Sequence, residues 1–128
     1  MGTGYKGNSK YYRSIGQNIV IAGAKYGYSG GRFGNNSPHG NIATRNITSP
    51  DNLATANDFY NKIAFGGKEQ KVNDNMRITR MHDGTVITMR VSSHSDGTPV
   101  VDISIKGSKH TGGIKNQKIH FVQGGSSK

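Results

Sequence analysis

Apolar and polar residues change places at every second position over much of the second half of the chain. In VITMRVS, residues 86–92, Ile87, Met89 and Val91 share one side, and Thr88, Arg90 and Ser92 the other. In VVDISIK, residues 100–106, Val101, Ile103 and Ile105 alternate with Val100, Asp102, Ser104 and Lys106. In KIHFV, residues 118–122, Ile119 and Phe121 alternate with Lys118 and His120. A further strand, RITRM at 77–81, comes before these, and Asp83-Gly84 is a strong hairpin turn between it and the next. Short connections of this kind predict neighbouring antiparallel strands.

The period changes in SPDNLATANDFYNKIAF, residues 49–65. There Leu53, Ala56, Tyr60, Ile63 and Ala64 recur at helical spacing and form one apolar stripe. Ser49 suits an N-cap, Pro50 the first helical position and Asp51 the positive end of the helix dipole. Gly66-Gly67 stops the helix. The apolar side of the sheet would cover the stripe. The pattern therefore predicts an α+β fold: a mostly antiparallel four-stranded sheet (77–81, 86–92, 100–106, 118–122) backed by a helix over about 50–65.

Residues 1–48 show no sustained period. They carry six of the ten aromatic residues, Tyr5, Tyr11, Tyr12, Tyr26, Tyr28 and Phe33, among Gly, Asn and Ser. This predicts an irregular or helical segment that wraps the core with its aromatic rings, although interleaved basic and aromatic residues can also stack bases. At 128 residues the chain fits a single domain, 1–128, with 49–122 as its helix-and-sheet core. It has no cysteine, so neither disulfides nor thiolate metal sites are available. No apolar run reaches membrane-spanning length, and MGTGYKGNSK at the start lacks the apolar stretch of a secretory signal.

Charge adds direction to this picture. Lys and Arg number 17 against 7 Asp and Glu, a formal net charge of +10. No acid precedes Asp51 and none follows Asp102. Such a field favours a polyanionic partner, nucleic acid or acidic protein; a basic surface with no specific partner would show the same totals.

The polar side of the sheet is where this charge gathers. Arg90, Ser92, Ser104, Lys106, Lys118 and His120 share it with Asp102 as the only counter-charge. Across adjacent strands such groups lie within roughly 5–8 Å of a neighbour. That set suits one phosphodiester. Internal cleavage of RNA needs a base near the 2′-hydroxyl, and histidine changes charge nearest neutrality. Arg90 and Lys106 would offset the charge that develops on the phosphate, aided by a hydroxyl from Thr111 or Ser92. A histidine on a polar strand face is also commonly just a solvated residue. The other histidines are weaker candidates: His82 and His94 sit in turns, His39 in the Gly/Asn segment, and His110, beside Thr111, could be a second proton carrier. The five show no paired metal-ligand spacing, so no metal or other cofactor is expected.

The run RITRMHDGTVITMRVSS, with VVDISIKGSKHTGGIKNQKIHF after it, resembles the C-terminal tRNA-cleaving toxin domains of contact-dependent growth inhibition and related polymorphic toxin systems. The similarity spans about residues 77–122. It implies a metal-independent ribonuclease of the barnase/EndoU/colicin/RelE kind, with His120 of KIHF as the catalytic histidine and Thr111, Lys115 and Lys118 in the same pocket. Lys118, Lys115, Ser92, Ser104, Arg77 and Lys109 are expected to bind RNA, beside catalytic His120, Thr111, Lys106 and Arg90. The resemblance further implies a tRNA substrate, a cognate immunity protein and elongation factor Tu as a partner. It also implies delivery as the C-terminal part of a larger secreted or cell-surface protein that acts in the cytoplasm of target bacteria. Barnase itself uses a glutamate base, whereas the one Glu here, Glu69, lies just past the helix. His with Lys, Arg and hydroxyl groups is the combination this chain offers. A non-catalytic RNA-binding module and a DNA nuclease are the competing expectations.

Overall fold

A computed structural model describes residues 15–36, 44–93, 97–106, 111 and 114–124. Helix α1 (Ile15–Tyr26) leads into a small hairpin of β1 (Tyr28–Ser29) and β2 (Arg32–Phe33). Next come β3 (Asn35–Asn36), β4 (Thr44–Ser49) and helix α2 (Asn52–Ile63). Five strands complete the chain: β5 (Lys68–Asn73), β6 (Met76–Arg80), β7 (Val86–Arg90), β8 (Val100–Ser104) and β9 (Asn116–Gln123). Seven of the strands form one sheet in the order β3-β4-β9-β8-β7-β6-β5. The β4–β9 pair is parallel and the other neighbours are antiparallel.

The α+β class and the antiparallel β6-β7-β8-β9 meander agree with the sequence pattern. The four-stranded count does not. Two long strands and one short one were hidden because their composition does not alternate between apolar and polar. β4, TRNITS, buries Arg45 and Ser49 on the same side as Ile47. β5, KEQKVN, is exposed at all six positions, so it has no buried face to betray it. As the end of the sheet it carries Lys68 and Lys71 and an irregularity between Lys71 and Asn73, features that discourage pairing with another chain.

The core lies between the helices and one side of the sheet. Phe59 of α2 meets Phe33 edge-on at 4.9 Å between ring centres, and Phe121 of β9 at 5.5 Å. All three rings are fully buried, and burial of each contributes about 2 kcal/mol. The helical stripe differs from the expected one in two places: Phe59 is in it, and Leu53 is 39% exposed. The helix also starts later. Asp51 is the N-cap, its carboxylate accepting from the Ala54 amide at 3.2 Å, while Ser49 ends β4 and accepts from the Asp51 amide. Gly66 closes the turn after the helix at φ +86°, a conformation that favours glycine.

The N-terminal aromatic residues within the described range do wrap the core. Phe33 is buried, and Tyr26 and Tyr28 pack against it. Tyr5, Tyr11 and Tyr12 lie outside the described residues. Asn18 of α1 donates to the Ile63 and Phe65 carbonyls at 2.8 and 2.9 Å, satisfying the C-terminal end of α2. Among the described residues no helix is long and apolar enough to cross a membrane.

Asp58 is the electrostatic tie between the two helices. It accepts from Lys62 at 2.8 Å, from the Tyr26 hydroxyl and from Lys25 at 3.1 Å. These contacts, Lys62 first, hold its carboxyl far below the usual range. A carboxyl whose folded pKa is lower than its unfolded value stabilises the fold above about pH 4, and the contribution is lost as pH falls toward the folded value. Partial exposure of the cluster keeps that contribution modest. Asp58→Asn is therefore expected to lower the urea midpoint at neutral pH. Between about pH 5 and pH 2 its midpoint should then fall less steeply than that of the parent protein. Parallel midpoint-versus-pH curves for the two proteins would show that Asp58 carries none of the acid sensitivity.

Candidate functional site

The side of the sheet facing away from the helices is defined by register. Phe121, Thr79 and Arg77 meet α2, so the residues next to them along each strand point the other way. One row across that outer face runs Arg90, Val100, His120, Asn46. The next runs Thr88, Asp102, Lys118, Thr44, and a third contains Val86, Ser104 and Asn116.

His120 sits in the middle of this arrangement because β9 is flanked on both sides, by β4 and β8. It is only 8% exposed. Its Nδ1 lies 2.9 Å from the Thr98 hydroxyl. Thr98 is itself held by the loop before β8, its carbonyl accepting from the Ser93 amide at 2.8 Å. The consequence is chemical. If Nδ1–H donates to Thr98, Nε2 carries the lone pair of a base; if the hydroxyl donates to Nδ1, Nε2 carries the proton of an acid.

Arg90 and Lys118 supply positive charge close by. Arg90 donates to Asp102 at 3.1 Å in a pair that is about one-third exposed. Lys118 is exposed and lies directly opposite Asp102 in the register. Asp102 thus has a cation on each side, Arg90 from the row of His120 and Lys118 from its own row. Two strand spacings, roughly 10 Å, separate the Arg90 and His120 backbones.

The remaining expected residues divide. Ser104 is exposed on the same face. Ser92 lies just past β7, its hydroxyl donating to the Gly97 carbonyl at 3.2 Å and its amide to Asn75. Lys106 shares the side of the sheet but not the neighbourhood. It lies against the β6–β7 turn, where a Cβ on Gly84 would be 3.2 Å from its Cγ. It comes six residues after Val100, the neighbour of His120, beyond the end of β8, a span of about 20 Å if the chain stays extended. Thr111 is buried, donates to the Ile114 carbonyl and packs beneath the β1–β2 turn. A Cβ on Gly31, whose φ is +84°, would be 2.3 Å from the Thr111 carbonyl oxygen, so glycine permits this approach. The described contacts of Thr111 thus hold two loops together. Lys115 is exposed before β9, its carbonyl accepting from the Ile105 amide at 2.7 Å.

Arg77 is on the helix side, apart from the rest. It stacks 4.8 Å over the Tyr60 ring and donates to Asn57 at 2.7 Å. It lines a cleft of about 380 Å³ with Glu69, Lys71, Asn75, Met76 and Val91. Burial, opposed by the hydrogen bond with Thr79, pushes the Tyr60 hydroxyl up to about 12. Lys109, His39, His94 and His110 lie outside the described residues, and His82 is exposed in the β6–β7 turn. Among the described residues no group of three or more His, Asp or Glu is arranged to hold a metal ion.

Four residues around the site were missed by the sequence reading: Thr98, Asn46, Thr44 and Asn116. Asn116 was within reach, since stepping back from His120 by twos gives Lys118 and then Asn116. Thr98, in a turn, and the β4 residues carry no periodic signal. Thr44, Asp102, Ser104, Asn116 and Lys118 together line a depression of about 260 Å³ on the outer face. Comparison with protein-family models, with curated proteins and with solved structures returns no match.

The Thr98 contact has a direct spectroscopic test. In Thr98→Val the ring-nitrogen signals of His120 should move from the parent positions, while Thr98→Ser keeps them. Nitrogen-15 NMR of the imidazole reads this; identical ring spectra for all three proteins would show that Thr98 does not orient the histidine.

Proposed function

We propose that the chain is a metal-independent RNA endonuclease, a tRNA-cleaving toxin domain used against other bacteria. The observation that carries the reading is the placing of His120 and the Arg90–Asp102–Lys118 string on the side of the sheet that faces away from the helices. A net charge of +10 supports a polyanionic substrate. The resemblance of residues 77–122 to tRNA-cleaving toxin domains narrows that substrate to tRNA. On the same ground a cognate immunity protein, elongation factor Tu and delivery from a larger secreted protein belong to the proposal.

In the proposed reaction His120 takes the proton of a ribose 2′-hydroxyl. The oxygen attacks the adjacent phosphorus, the bond from phosphorus to the 5′-oxygen breaks, and that oxygen takes a proton from water while His120 gives its own back to solvent. The products are a 2′,3′-cyclic phosphate and a 5′-hydroxyl. Arg90 and Lys118 offset the charge on the non-bridging oxygens. Lys106 serves the approach of RNA rather than the reacting phosphate, and Thr111 serves the fold. The Arg90–Asp102 pair favours a second reading, a module that binds RNA without cutting it, because part of the positive charge is already neutralised.

Replacing His120 by Ala is expected to reduce cleavage by about 10²–10⁴-fold in protein that circular dichroism shows to be folded. Sequencing of RNA ends after induction of the domain in bacteria, beside the His120→Ala control, identifies the substrate and the bond. Undiminished cleavage by a folded His120→Ala protein would sink the catalytic assignment. Salt-sensitive binding with no new ends would establish the binding module instead.

A further inference from the structure

We infer that the 260 Å³ depression beside the histidine is a subsite for one unpaired ribonucleotide, the neighbour of the nucleotide that is cut. The inference rests on the endonuclease reading for its place in a reaction, but not for its chemistry. It is lined by the paired Ile103 and Gln117 and by Thr44, Asp102, Ser104, Asn116 and Lys118, from three strands. The set mixes a cation, a carboxylate, two hydroxyls and an amide. Those are the donors and acceptors that a phosphate, a ribose and a base edge require.

The Asp102 carboxylate does not repel an anion from this place as it would alone, because Arg90 holds it at 3.1 Å. Lys118, which lines the depression, is two residues or about 7 Å along β9 from His120. A strand of RNA with its reactive phosphate at His120 therefore passes its next nucleotide over Lys118 toward Ser104 and Asn116. The depression is smaller than the usual range for whole ligands, about 300–1,000 Å³, and takes one nucleotide rather than a base pair. Unpaired RNA, whose base edges are free to enter, is the substrate class that follows.

The test begins with binding. The nitrogen-15-labelled parent protein is titrated with 5′-adenylate, 5′-uridylate and inorganic phosphate, and amide shifts are mapped. The expected result is saturable shifts at Ser104, Asn116 and Lys118 with either nucleotide, much weaker with phosphate. Asn116→Leu, which fills the depression from an exposed position, should abolish them without disturbing amides elsewhere. In cleavage the same variant should raise KM about tenfold with kcat within about twofold of the parent. A single-stranded oligonucleotide should be cut and its duplex resist. Shifts confined to the cleft at Glu69–Val91, no shifts at all, or an Asn116→Leu protein with unaltered binding and KM would overturn the subsite. A parent protein that cuts no RNA overturns the endonuclease reading, and the titration then decides the subsite by itself.

Discussion

β9 is hydrogen-bonded along both edges, in parallel to β4 and antiparallel to β8, and everything else in the molecule is arranged around that fact. A strand with neighbours on both sides cannot shift register without breaking two ladders at once. A slip by one residue would exchange Ile119 and Phe121 for Lys118 and His120 on the core side. The position of His120 is thus fixed by the same bonds that fix the hydrophobic centre. The histidine is little exposed, and Thr98 from the loop before β8 meets its ring.

The inner side of β9 is tied to the N-terminal third through polar groups as well as rings. Gln117 accepts from the Phe33 amide at 3.0 Å and donates to the Gly31 carbonyl at 3.1 Å. Arg45, buried beside it in the sheet, donates to the carbonyls of Phe33 and Gly34, each at 2.8 Å, and to Asn36. Burial, with Arg32 nearby, lowers the Arg45 pKa, and the three acceptors compensate the cost of keeping the guanidinium inside. The β1–β2 hairpin and β3 have little regular pairing of their own. Side-chain bonds from two buried polar residues hold them where ladder bonds do not reach.

How much of this was legible in the sequence depends on what each segment buries. β7, β8 and the middle of β9 alternate because one side of each is core, so their faces could be sorted from the letters alone. β4 uses Arg45 and Ser49 at inward positions, which reads as a polar loop, and β5 buries nothing. The two-residue strands near residue 30 are too short for any period. For the site, alternation assigned Arg90, Ser104, Lys118 and His120 to one face, and register bears that out. Alternation does not measure distance along a strand, so Lys106 counted as a neighbour of His120 when it lies about 20 Å away. Nor does it order segments outside strands, which is why Thr98 escaped notice and Thr111 was given an outward role. Arg77 falls at the first position of the strand as it was read, where only pairing with Met89 reveals its side.

The parallel pairing of β4 with β9 also bears on when the molecule acquires its site. Asn52, at the start of α2, and Gln123, near the end of β9, are 71 residues apart in the chain and joined by a hydrogen bond. Contacts of such separation form late and slow folding, because a long loop must close before they repay its entropy. As the chain leaves the ribosome, β4 has its small partner β3 but no long one until the last strand emerges, and the row that contains His120 cannot assemble before then. Synthesis of β9 therefore sets the earliest moment at which the outer face of the sheet can be complete.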